Sequence, residues 1–167
     1  MKGFYDQHFA LLARGQDPAH LRRVRDFIAR VLGLRPGQRV LDQGCGIGQI
    51  SRVLADAGCE TIGVDQIPEY IAEARQQAVG LPAEFVCADA GEFVCQPPAD
   101  AVISWHTSFG HFAHDSDNLR LLQAAWCSLK PGGSLLLDFP NFYHTLMHFQ
   151  ASFEQRFVTP EGEVRVV

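Results

Sequence analysis

The chain has 167 residues, enough for one domain with a sizeable core. Its 47% hydrophobic and 20% charged content excludes a disordered polymer. A net charge of −5 and a pI of about 5.7 argue against a nucleic-acid surface, which carries a basic patch or stripe.

The tightest basic group, Arg22, Arg23 and Arg25, reads as the solvated face of an amphipathic helix. The N-terminal stretch "MKGFYDQHFALL" is broken by Asp6 and His8 and is not a secretory signal. No run approaches the roughly 20 apolar residues of a membrane helix. Five cysteines form no C-x-x-C pair and lie mostly in apolar runs, as buried free thiols in a reducing compartment do. A soluble cytoplasmic protein is therefore expected.

In chain order, Asp17-Pro18 opens a helix whose stripe of Leu21, Val24, Ile28 and Leu32 runs to Gly33. "RPGQ" is a turn and "RVLDQ" a short strand. A helix from about Gly48 to Ala57 ends at Gly58. "ETIGVD" is a second strand, and Pro68 opens a helix through about Ala78. "AEFVCAD" and "ADAVISW" are strands three and four. After the loop "HTSFGHF", a helix spans Asp117 to Leu129, with Leu119, Leu122, Ala125, Trp126 and Leu129 as its apolar stripe. "KPGG" is a turn and "SLLLDFP" a fifth strand. "NFYHTLMHFQ" reads as a helix, and 153–167 as a hairpin around Pro160, Glu161 and Gly162.

Short apolar strands linked by helices specify an α/β fold with a parallel sheet covered on both faces. Ligands of such sheets sit at the carboxyl ends of the strands. Asp42, Asp65 and Asp89 close strands one, two and three.

"VLDQGCGIGQ" then becomes the informative segment. Gly44, Gly46 and Gly48 let the backbone turn tightly and approach a ligand closely. A dinucleotide loop, G-x-G-x-x-G, would need glycine at position 49, where this chain has Gln49. A pyrophosphate would be repelled by Asp42, whereas an ammonium or sulfonium would be attracted. Three carboxylates around one pocket suit a cationic nucleoside.

This segment resembles the first motif of class I S-adenosylmethionine-dependent methyltransferases. "TIGVDQ", "FVCADAGEF", "ADAVISWHTSFGHF" and "LKPGGSLLLDFPN" resemble their later motifs, in order, over about residues 38–141. The resemblance implies a Rossmann-like, doubly wound, mainly parallel sheet of five core strands in the order 3-2-1-4-5. Residues 1–36 would be an N-terminal helical lid or cap, 37–141 the cofactor-binding core, and 142–167 a helix plus hairpin. Gly44, Cys45, Gly46 and Gly48 would wrap the methionine part of S-adenosylmethionine, with Asp42 near its ammonium. Asp65 would accept from the ribose hydroxyls, and Gln66 would border the adenine. Asp89 would accept from the adenine amino group, with Ala90 beside it. Trp105 would line the methionine end, and Phe4 or Tyr5 would form part of a lid. S-adenosylhomocysteine would be the product and a small molecule, not a nucleic acid or membrane, the acceptor. Phe109 and Phe112 would shape an apolar acceptor pocket.

A hydroxyl or acidic-carbon acceptor needs a base. His106, just after strand four, is the candidate, with His111 the runner-up; a histidine that only lines the pocket is an equal alternative. His144 and His148 share a helical face, but no carboxylate-rich motif accompanies them, so they read as surface histidines and no metal is expected. The family pattern continues beyond strand five. Strand five would thus be an exposed edge, covered by a partner such as a second copy, by the hairpin, or by further chain. Without that region, a cofactor-binding module lacking turnover is the alternative reading.

Overall fold

A computed structural model describes residues 16–106, 108–110, 114–139, 141–149, 155–159 and 162–166. The chain falls into two compact units, one of residues 16–139 and one of 1–15 with 140–167. Tyr5, Phe4, His111 and Phe112 lie outside the described residues.

The first unit contains α1 (Pro18–Leu32), β1 (Arg39–Gln43), α2 (Gln49–Asp56), β2 (Glu60–Asp65), α3 (Pro68–Gln77), β3 (Ala83–Cys87), β4 (Ala99–Ser104), α4 (Asp115–Ser128) and β5 (Leu129–Leu137). Its sheet has the order β3-β2-β1-β4-β5, every neighbouring pair parallel, as expected. Helix α1 starts where Asp17 caps the Ala19 N–H at 2.9 Å. It ends at left-handed Gly33, beyond which the Leu34 N–H returns to the Ala29 carbonyl at 2.8 Å.

Alternation along β1 separates the two faces. Val40 belongs to the cluster of Leu21, Val24 and Ile28 from α1 and Ile50 and Leu54 from α2. Leu41 belongs to the opposite cluster with Ile62, Val64, Val102 and Ala125 from α4. A third cluster joins α3 to β3 through Ile71, Ala74, Ala78 and Phe85. Each fully buried aliphatic side chain contributes roughly 1.5–3 kcal/mol. The α1 stripe therefore makes that helix part of the core wall.

Three expectations change. Helix α4 begins at Asp115, two residues early, because Asp115 and Asp117 both favour its positive amino end. It buries Leu121, Ala124, Ala125 and Ser128, while Leu119 and Trp126 are 54% and 80% exposed. The expected stripe was rotated, since small Ala and Ser residues allow the close approach to the sheet and the larger apolar residues point outward. The "KPGG" turn lies inside β5: pairing jumps from Ala99–Leu129 to Ala101–Ser134, so 130–133 bulge out. Finally, of the five free cysteines only Cys59 and Cys95 are buried; Cys87 and Cys127 are exposed.

β5 is an edge strand, and none of its residues is buried. The second unit contains α5 (Phe142–Met147), capped by Asn141, and the antiparallel strands β6 (Gln155–Thr159) and β7 (Gly162–Val166), which form a sheet of their own. Among the described residues no helix is long and apolar enough to cross a membrane, and no group of three His, Cys, Asp or Glu side chains could hold a metal ion.

Candidate functional site at the carboxyl ends of the strands

The loop after β1 folds over the end of β2. Both the Gly44 and Cys45 N–H groups donate to the Val64 carbonyl, at 2.8 and 3.0 Å. The Gly46 N–H donates to Asp65 Oδ2 at 2.9 Å, and the Ile67 N–H to Asp65 Oδ1 at 3.0 Å. Asp65 thus fastens the loop while each oxygen keeps a lone pair for a further donor. Burial pushes its pKa up, against the lowering effect of these N–H groups.

The glycines differ in what they permit. Gly46 has φ +55° and open space where a Cβ would stand. Gly48, at φ +74°, packs so closely that a Cβ would strike the Phe85 ring and Ala74. Gly46 therefore opens the loop toward a ligand, and Gly48 seats α2 against α3 and β3. At Gly44 a Cβ would collide with Ser108, whose hydroxyl lies 3.4 Å from the Gly44 carbonyl. Ser108, whose hydroxyl also donates to the Trp105 carbonyl at 3.3 Å, is a loop contact that sequence reasoning did not single out.

Asp42 is almost fully buried and accepts from the Ser51 hydroxyl of α2 at 2.6 Å. Burial dominates that hydrogen bond, and nearby Asp65 adds to it, so the Asp42 pKa is raised to about 6. Half-buried Cys45 is held well above the usual thiol range by burial first, then by Asp42 and Asp65. It is an inert thiol.

Asp89 follows β3, beside Ala88, whose N–H donates to the Asp65 carbonyl at 3.0 Å. Its Oδ1 accepts from the Gly91 N–H at 2.8 Å, and its Oδ2 from Arg120 Nη2 of α4 at 3.1 Å. The Ala90 carbonyl accepts from Gln43 Nε2 at 3.1 Å. Gln66 is exposed at the rim.

Trp105 lies after β4 with its ring 6.1 Å from that of Phe27 on α1 and equally far from that of His106. Its Nε1–H is buried without a partner among the described residues. His106 adopts φ +53°, and its N–H donates to Asp138 Oδ2 at 3.0 Å, just past β5. The side chain keeps solvent-facing surface, yet partial burial pushes its pKa down, with Asp138 opposing and His20 reinforcing that shift. The lowered pKa favours the neutral ring, which can accept a proton. His144 and His148, by contrast, stack on α5 at 4.2 Å in the other unit.

The strand ends thus bring Asp42, Gly46, Asp65 and Asp89 to one rim, with Trp105 and His106 after β4. A loop open at Gly46, acids behind it and spare carboxylate lone pairs at Asp65 fit a nucleoside with a cationic tail.

Comparison with known proteins agrees. A family model described as a methyltransferase domain matches residues 40–133, more than half the chain. The chain belongs to the class I S-adenosylmethionine-dependent methyltransferases. Among curated relatives, a ubiquinone biosynthesis O-methyltransferase of Xanthomonas campestris is 33% identical over 129 residues, covering 74% of this chain and 52% of its own length. A 23S rRNA uracil-C(5)-methyltransferase of Shewanella amazonensis is 43% identical over 70 residues, 40% of this chain and 16% of its own length. This methyltransferase chain therefore spans about half the length of the first of these relatives. Among solved structures, a Geobacter sulfurreducens S-adenosylmethionine-dependent methyltransferase in complex with S-adenosyl-L-homocysteine has a TM-score of 0.60 at 25% identity, covering 79% of this chain and 54% of that one.

Proposed function

We propose that this chain binds S-adenosylmethionine and transfers its methyl group to a small-molecule acceptor, releasing S-adenosylhomocysteine. The observation carrying this reading is the Asp65 carboxylate, fixed by Gly46 and Ile67 beside a loop open at Gly46. Asp65 would take the ribose hydroxyls, each hydrogen bond to the charged group worth about 1.5–3 kcal/mol. Gly44, Cys45 and Gly46 would border the methionine part, with Gly48 holding their turn. Asp42 would sit behind the ammonium. Asp89 would accept from the adenine amino group through a remaining lone pair, with Gln66 and Ala90 as borders. Trp105 would flank the methionine end.

The cofactor, when bound, would supply a methyl group already activated by its sulfonium. The protein's part is alignment of the acceptor, which lowers a barrier by several kcal/mol. His106, neutral and held by Asp138 through its backbone, would remove the acceptor proton where the acceptor is a hydroxyl. The O-methyltransferase relative supports a small-molecule acceptor, and the net charge of −5 argues against a nucleic acid. The place of β5 at the edge of the described sheet supports a dimer or another covering segment.

The test is an assay for S-adenosylhomocysteine formation with panels of phenols, amines and acidic-carbon compounds. Turnover on one class supports the reading. Cofactor binding with no turnover on any panel would leave the cofactor-binding module as the function.

A further inference from the structure

The loop 89–92 is tied to α4 at two points, by residues to which the mechanism gives no role. Gln43 ends β1 at a buried position, only 1% exposed, on the face of Leu41. Its Nε2 donates to the Ala90 carbonyl at 3.1 Å and to the Leu121 carbonyl at 3.3 Å. Its Oε1 is buried with no partner among the described residues. The opposite amide orientation would aim the oxygen at two carbonyls, so the donors fix the orientation. A leucine would fill this core position without leaving a buried oxygen unsatisfied, so the amide is present for its two N–H bonds.

Arg120 makes the second tie. Its Nη2 pairs with Asp89 Oδ2 at 3.1 Å and its Nη1 with Glu92 at 3.6 Å, while Nε lies 3.9 Å from Asp117 within α4. The Gly91 N–H holds the other Asp89 oxygen. One amide thus fixes the loop backbone, and one guanidinium fixes the direction of the Asp89 carboxylate.

We infer that Gln43 and Arg120 are positioning residues that set recognition of the base end of the nucleoside cofactor, by holding Ala90 and the Asp89 carboxylate against α4. The inference rests on the cofactor reading above and extends it to residues outside the rim. A carboxylate held this way accepts from an amino group and repels a carbonyl oxygen in its place. The probes are therefore S-adenosylhomocysteine and S-inosylhomocysteine, which carries an oxygen where adenine carries its amino group.

Calorimetric affinities for both are compared in the wild-type chain, Gln43→Leu, Arg120→Met and Arg120→Lys. The wild type prefers the adenosyl compound by at least about tenfold, the worth of one hydrogen bond to a charged acceptor. In Gln43→Leu and Arg120→Met that ratio shrinks several-fold, with Arg120→Lys intermediate, because lysine keeps the charge but loses the fork. A purely structural role would weaken both ligands equally and leave the ratio intact; an unchanged ratio overturns the inference alone. Should Gln43→Leu not fold, half-exposed Arg120→Met decides. A wild-type chain that binds neither compound overturns the cofactor reading and this inference with it.

Discussion

The Asp65 carboxylate accepts the Gly46 N–H at 2.9 Å, so the residue ending β2 holds the middle glycine of the loop after β1. Asp65 and the loop are therefore one structural unit. Asp65→Ala removes the Gly46 and Ile67 hydrogen bonds together with the ribose acceptor. We predict a loss of S-adenosylhomocysteine affinity of about 30-fold or more, from hydrogen bonds worth 1.5–3 kcal/mol each. Asp65→Asn, which retains one acceptor oxygen, should fall between. Unchanged calorimetric affinity in Asp65→Ala would remove its assigned role.

The buried Asp42 carboxylate predicts a pH effect of definite sign. The folded chain keeps that proton to about pH 6, whereas the unfolded chain loses it near 3.8. Between these values the folded state binds more protons, so the Asp42 contribution to stability declines as pH rises through the window. Asp42→Asn can still accept from Ser51 and carries no charge. It should raise the melting temperature at pH 7, by an amount equivalent to on the order of 2–3 kcal/mol, while weakening binding of the cationic cofactor. A destabilised Asp42→Asn at pH 7 would contradict this account.

The glycines should separate by what surrounds them. Gly46→Ala places a methyl in open space at φ +55°. It should cost about 1 kcal/mol of stability yet reduce cofactor affinity markedly. Gly48→Ala drives a methyl into Phe85 and Ala74, so it should lower stability by roughly 1–3 kcal/mol or more. Thermal melts with and without S-adenosylhomocysteine distinguish the two; equal effects would show that the loop acts as one rigid turn.

His106→Gln should reduce turnover on a hydroxyl acceptor by about 10²–10⁴-fold while leaving cofactor affinity near wild type. With its pKa lowered by burial, the wild-type rate should rise with pH through a midpoint below that of an ordinary histidine. Full activity in His106→Gln would make the ring a pocket wall only.

The outward face of α4 gives a control away from the site. Trp126→Gln, at an 80% exposed position, should change stability by less than about 0.5 kcal/mol. Ala124→Leu, at a buried position outside the expected stripe, should cost about 1–3 kcal/mol by overpacking. The reverse order in urea unfolding would restore the stripe expected from the sequence.

That stripe shows where sequence reading stops. The α1 limits were legible because Asp17-Pro18 and Gly33 carry the cap chemistry in their side chains and backbone freedom. The glycine loop and Asp65 were legible because strand ends converge in a parallel sheet. The buried face of α4 was legible only at Ala125: Ala124 and Ser128 are small, and periodicity weighs Trp126 and Leu119 above them. Nor were Ser51, Ser108, Gln43 and Arg120 visible. Each matters through a partner 9 to 78 residues away, and no local spacing encodes such a contact.

The central claim is that the rim of Asp42, Gly46, Asp65 and Asp89 holds a cationic nucleoside. Calorimetric titration with S-adenosylmethionine, S-adenosylhomocysteine and NAD in parallel tests it most directly. Micromolar binding of the first two and none of NAD is expected, since Asp42 opposes a pyrophosphate and Gln49 replaces the glycine that a dinucleotide loop needs. Binding of NAD, or of none of the three, would contradict it.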